Sequence, residues 1–189
     1  MRWVPASAQA PAPPPDVTGL AIGEMVHGGA PSPQAIDAWL ARHQVPVAEG
    51  GKVTFVFRGQ ADEVRLRHWV YGLASSEPLH RVPGTALWYH VLELPEGSRV
   101  EYKLEVTRGR DVQWLEDPLN ARKARDPFGA NSVAHGTGYE VPEWTRPDPF
   151  APEGTLEERV FRSDALGGPR RITLYRPARF RERRRYPLL

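Results

Sequence analysis

The side chains with the most varied chemistry in this chain are six histidines, His27, His43, His68, His80, His90 and His135, and their spacing decides what they can do. No two stand at i, i+4 or as His-x-His beside a carboxylate, so no metal centre is expected. Asp117, Asp126 and Asp148 each precede a proline, a context in which a carboxylate caps a turn and makes a poor member of an acid/base pair. Gly136-Thr137-Gly138 does not open a helix after a strand, so it reads as a turn and not as a phosphate cradle. The chain has no cysteine, which excludes a thiolate nucleophile, a disulfide framework and Cys-based zinc or iron–sulfur sites. None of these residues implies a cofactor.

Formal net charge is +2, and it depends on one segment, Arg176, Arg179, Arg181, Arg183, Arg184 and Arg185. Phe180 is the one aromatic inside it, and strand-like sequence flanks it, so it reads as a solvated loop; neither nucleic acid nor a membrane is expected as a partner. No apolar stretch approaches the roughly 20 residues that span a bilayer. Ala6-Ser7-Ala8-Gln9-Ala10 ends like a signal-peptide cleavage site but has no apolar core before it, so the expected location is cytoplasmic unless the true start lies upstream.

The elements that would position these residues follow from periodicity. Residues 1–31, rich in Ala, Pro and Gly, read as a disordered tail. Ser32-Pro33 offers a helix N-cap with Pro at the first position, and Ile36, Trp39 and Leu40 predict an amphipathic helix over about 33–43. From Gly50 the period becomes two. Val53, Phe55 and Phe57 alternate in one half-buried strand, and Val64 and Leu66 in another. Residues 87–94, a turn at Pro95-Glu96-Gly97, and residues 100–106 give a hairpin signal with Glu101, Lys103 and Glu105 outward and Tyr102, Leu104 and Val106 inward. Twenty prolines and seventeen glycines agree with a mostly β chain built as a sandwich. A second hairpin is expected from Glu158–Ser163 and Arg171–Tyr175, and the apolar run Tyr186-Pro187-Leu188-Leu189 reads as the opening of a buried strand.

The series Val53–Arg58, Trp88–Gly97, Val100–Leu104 and Asp117-Pro118-Leu119-Asn120 resembles the amino-terminal domain of enterochelin esterases and their relatives. In that family an immunoglobulin-like E-set domain precedes an α/β-hydrolase domain, and Glu158–Ser163, Arg171–Pro177 and Tyr186–Leu189 look like the start of the latter. The resemblance implies a tail over 1–31, an E-set β-sandwich with a short leading helix over 32–142, a linker over 143–156 and a truncated start of the hydrolase domain over 157–189. It implies a carboxylic ester hydrolase parent, with a small-molecule ester or siderophore trilactone as partner and an E-set domain that shapes the active site. None of the seven serines stands in the Gly-x-Ser-x-Gly turn that exposes a hydrolase nucleophile, so no residue here is expected to be catalytic. A truncated chain of this kind is expected to self-associate through its unpaired edge.

The same signature also resembles glycogen-binding modules, in which aromatic faces stack on sugar rings. This alternative implies α-glucan contacts at Lys103, Trp114 and Asn131, with Trp69 as a second platform. Thr107–Val112 reads as a polar segment longer than the tight turn of those modules, and Trp88 reads as packing.

Overall fold

The computed structural model describes residues 13–127, 129–146 and 148–187. The expectations for residues 1–12 and for Leu188 and Leu189 lie outside these. The chain divides into two compact units, Met1–Glu140 and Val141–Leu189.

In the first unit the period-two segments build two antiparallel sheets. One runs β1 (Val47–Glu49), β2 (Lys52–Arg58), β6 (Leu87–Glu93) and β5 (His80–Arg81). The other runs β4 (Ser76–Pro78), β3 (Glu63–His68), β7 (Arg99–Arg108), β10 (Gly129–His135) and β9 (Lys123–Asp126), with β8 (Asp111–Leu115) also paired to β7. β3 occupies one edge of β7, while β10 and β8 share the other along successive halves. Val53, Phe55, Phe57, Trp88 and Leu92 from the first sheet pack with Val64, Leu66, Tyr102, Leu104 and Val106 from the second. The Phe55 and Tyr102 rings meet edge to face at 4.8 Å. Each such side chain withdrawn from water contributes about 1.5–3 kcal/mol, which is what holds the two sheets face to face. The protein is mostly β, as expected.

Four expectations change. β2 is not half-buried: Thr54 and Val56 are as buried as Phe55. The reason is a second apolar layer, where Val56, Leu87 and Tyr89 on the other face of the first sheet pack with Val17, Ile22, Met25, Ile36 and Trp39. That layer removes the expected tail from Val17 onward. Val17 and Ile22 are buried, α1 (Gly23–Val26) forms, and Ala21 N–H donates to Glu49 Oε1 at 3.1 Å. Three apolar side chains brought to one surface anchor a segment whose average composition reads as tail. α2 (Pro33–Arg42) matches its sequence: the Ser32 hydroxyl accepts from Ala35 N–H at 3.1 Å, Ile36 and Trp39 are buried, and Trp39 Nε1–H donates to Ala21 O at 3.0 Å.

The third change concerns the predicted hairpin of 87–94 with 100–106. β6 pairs with β2 and β5, whereas β7 pairs with β3, β8 and β10, so the turn at Pro95-Glu96-Gly97 carries the chain from one sheet to the other. Both strands turn an apolar face to the same interior, a pattern that a hairpin and a sheet crossing produce alike. Tyr102, Leu104 and Val106 do point inward. The fourth is Thr107–Val112. It is mostly strand, with only Gly109 and Arg110 between the Arg108↔Asp111 pair, and Gly109 takes the positive φ (59°) that such a tight turn requires.

The second unit contains a short 3-10 turn, Glu143–Thr145, and one antiparallel hairpin of β11 (Thr155–Ser163) and β12 (Gly168–Arg176), in register from Thr155↔Arg176 to Ser163↔Gly168. The expected hairpin is present and longer at both ends. Leu156, Val160, Phe161, Ile172 and Tyr175 on it are exposed. Beyond β12, Phe180 stacks on Tyr186 at 4.9 Å and Arg181 N–H donates to the Tyr186 hydroxyl at 3.0 Å, which organises the arginine-rich segment as an exposed loop.

Candidate functional site

The outward face of the second sheet collects the residues singled out for binding. Alternation along β7 sends Glu101, Lys103 and Glu105 to this face, and the register sets Lys103 beside Arg67 and Glu105 beside Trp114. Trp114 is about half exposed, with the Arg67 guanidinium over its ring at 4.6 Å; Arg67 Nε also lies 3.6 Å from Glu105 Oε2. One side of the indole is therefore occupied by a cation held in place by a carboxylate. Asn131 on β10 donates its amide to Glu101 Oε2 at 3.0 Å, and Arg99 donates to Glu101 Oε1 at 2.9 Å. These two hydrogen bonds hold the Glu101 carboxyl below its ordinary range, so it remains charged.

Lys103, Trp114 and Asn131 thus share one sheet face. Trp69 follows the end of β3, is 63% exposed, and borders a shallow pocket with Leu94, Pro95, Arg99 and Glu101. Trp88 packs in the interior and donates its Nε1–H to Gly59 O at 3.1 Å. The face offers flat aromatic surface with donors and acceptors beside it. Glu101 and Glu105 each sit against an arginine.

Beneath this face lies a polar network that the reading of Asp117 as a simple turn cap missed. Asp117 Oδ1 does cap the turn, accepting from Leu119 N–H at 2.8 Å. Its other oxygen accepts from the Tyr102 hydroxyl at 2.5 Å, and Asn120 Nδ2 donates both to that hydroxyl (3.1 Å) and to Val133 O (2.9 Å). The Ser132 hydroxyl accepts from Asp117 N–H at 2.8 Å, and Lys123 Nζ reaches Asp117 O at 2.9 Å. Burial pushes the Asp117 carboxyl up and the Tyr102 phenol up further from their ordinary values. The network ties the Asp117–Asn120 turn to β7 and β10. Its sequence signal was an inward-facing tyrosine, since a buried phenol must find a partner. Among the described residues no three His, Asp or Glu side chains converge as metal ligands, and no helix is long and apolar enough to cross a membrane.

No family model and no curated protein matches the chain. Solved structures do. The ferric enterobactin esterase of Salmonella typhimurium superposes with a TM-score of 0.56 at 21% identity, over 72% of this chain and 45% of the esterase. The enterobactin esterase of Shigella flexneri, determined in the presence of enterobactin, gives 0.54 at 20% identity over 71% of this chain and 44% of its own. The same enzyme with 2,3-dihydroxy-N-benzoyl-glycine gives 0.51 at 21% identity. The chain spans less than half the length of these structures. Over about seven tenths of its length the chain has the fold of the enterobactin esterases, and the resemblance carried by its sequence holds at the level of that fold.

Proposed function

We propose that this chain is the non-catalytic β portion of an enterochelin-esterase-like serine hydrolase, an E-set domain that shapes the site where the complete protein cleaves a carboxylic ester. A siderophore trilactone is the favoured substrate. The observation that carries the reading is the fold shared with enterobactin esterases over 71–72% of the chain. The absence of any Gly-x-Ser-x-Gly among the seven serines supports a role beside the chemistry. Two measurements test it. Purified chain incubated with p-nitrophenyl butyrate and with a tricatecholate trilactone should release no product above the buffer blank, and turnover of either ester refutes the non-catalytic role. The DNA following the Leu189 codon should continue in frame to a Gly-x-Ser-x-Gly segment; a stop and unrelated sequence would favour a free-standing module.

A second reading, α-glucan binding, is favoured by one observation: Lys103, Trp114 and Asn131 occupy the same sheet face, with Trp69 at its rim. A stacked aromatic contributes on the order of 1 kcal/mol, so Trp114→Ala should weaken maltoheptaose binding several-fold in isothermal titration. No heat from the wild-type chain at millimolar sugar ends this reading.

A further inference from the structure

Elsewhere in the first unit the link from α2 to β1 meets the loop before β9 and the turn after β10, and the three border a polar pocket. Gln44, Arg122, His135, Thr137 and Tyr139 line it, with the Gly136-Thr137-Gly138 turn as one wall. The turn closes by Tyr139 N–H donating to Gly136 O at 3.2 Å. The chain passes close at position 136, where a Cβ would lie 2.5 Å from Ser98 Oγ and 3.1 Å from Pro95 O, so any larger residue requires the Ser98 hydroxyl to turn away.

Among the lining residues the one full charge is that of Arg122, while the Glu96 carboxylate lies behind the turn, with Oε1 3.0 Å from where a Cβ at Gly138 would stand, and the neighbouring Arg99 is paired with Glu101. Arg122 donates to Gln44 Oε1 at 2.8 Å, a neutral partner, and no carboxylate lines the pocket. The Gln44 amide nitrogen is left as a further donor. The Thr137 hydroxyl is buried and has no hydrogen-bond partner among the described residues, so rotation about χ1 can redirect it without breaking a bond. His135 is fixed by its ring contact with Tyr139 at 4.2 Å. Burial first, and then the Arg122 and Arg99 cations, hold its imidazole below the ordinary histidine range. An arginine whose side-chain partner is neutral, an idle hydroxyl and an imidazole able to take up a proton are what a multiply charged oxyanion would complete.

We propose that this pocket binds a phosphate group, with Arg122 as the charged clamp and Gln44, Thr137 and His135 as the remaining donors. Donors from three separate segments suit a tetrahedral oxyanion better than a planar carboxylate, which one arginine alone can satisfy. The pocket shares no lining residue with the one beside Trp69, and it stands whether or not the esterase reading does.

Nuclear magnetic resonance of the His135 imidazole in the full chain tests it, at constant ionic strength set with sodium chloride. Saturating inorganic phosphate should raise the His135 midpoint by about one pH unit, because a bound anion favours the protonated ring. Glycerol 3-phosphate in a parallel titration distinguishes free phosphate from a phosphomonoester; a rise with either supports the site and names its source. Arg122→Gln should abolish the rise while leaving the amide spectrum of the sandwich intact, and Thr137→Val should weaken phosphate binding several-fold. A midpoint that neither probe moves overturns the proposal. So does a rise that survives Arg122→Gln, since it would come from general surface charge.

Discussion

Removing a single oxygen, by Tyr102→Phe, tests whether the Tyr102–Asp117–Asn120 network holds the second sheet to its closing turn. The phenol donates to Asp117 Oδ2 at 2.5 Å and accepts from Asn120 Nδ2 at 3.1 Å, and Tyr102 and Asp117 are both fully buried. Phenylalanine keeps the ring, its edge-to-face contact with Phe55 and the apolar packing. What is lost is a hydrogen bond to a carboxylate, and a buried acceptor is left without its donor; together these cost about 3 kcal/mol. Burial raises the Asp117 carboxyl while the Tyr102 hydrogen bond lowers it, so removing the phenol lets it rise further. A raised folded-state value favours the folded protein at low pH and disfavours it as pH rises through that value. The destabilisation should therefore be largest near pH 7 and shrink as pH falls below the ordinary carboxylate value of 3.8, where Asp117 is mostly protonated in folded and unfolded chains alike. Because the chain has two units, a single global transition is unsafe. Urea titration should be followed by amide exchange in β7 and β10. A loss under about 0.5 kcal/mol at pH 7, or one equal at both pH values, would refute the account of the network as a buried charged anchor.

Other outcomes follow from the same geometry. Trp39→Ala should cost about 3–5 kcal/mol and expose residues 17–26 to protease, because the indole packs in the helical layer and donates to Ala21 O; unchanged protection of that segment would mean α1 is anchored without it. His90 is pushed down to about 4, chiefly by burial, although its bond to Pro78 O raises it. A depressed imidazole contributes stability above about pH 6.5 that is lost as pH falls through its folded value, here about 3 kcal/mol, so His90→Gln should flatten the acid limb of the stability profile. An unaltered limb would show that His90 is not its source. The exposed Leu156, Val160 and Phe161 on the β11–β12 hairpin predict self-association of the full chain and a monomer for one ending at Glu140. Light scattering during size exclusion should separate the two, and a monomeric full chain would refute this.

Much of the fold was legible because short-range physics decides it. The Ser32-Pro33 cap, the 36–39 spacing and the inward Tyr102-Leu104-Val106 series concern a helix turn or a pleat. The burial of Val17, Ile22 and Val56 was not legible, since it depends on a layer assembled from distant segments. The candidate face divides in the same way. Lys103, Trp114 and Asn131 were implied by the resemblance to glycogen-binding modules, but that Arg67 covers Trp114 and that Asn131 bonds Glu101 depends on strand register.

By itself the amino-acid order determined the class of the protein, its helix, most of its strands, its second hairpin and the absence of a hydrolase nucleophile turn. Tertiary structure alone decided which strands share a sheet. It sent β6 and β7 to opposite sheets across Pro95-Glu96-Gly97, joined Asp117 to Tyr102 and brought Arg122, His135 and Thr137 around one pocket. The physical reason is range. Periodicity and caps are set by neighbours within a few residues, whereas sheet membership and convergent polar groups depend on which distant surfaces exclude water together, and alternation along one strand cannot encode its partner.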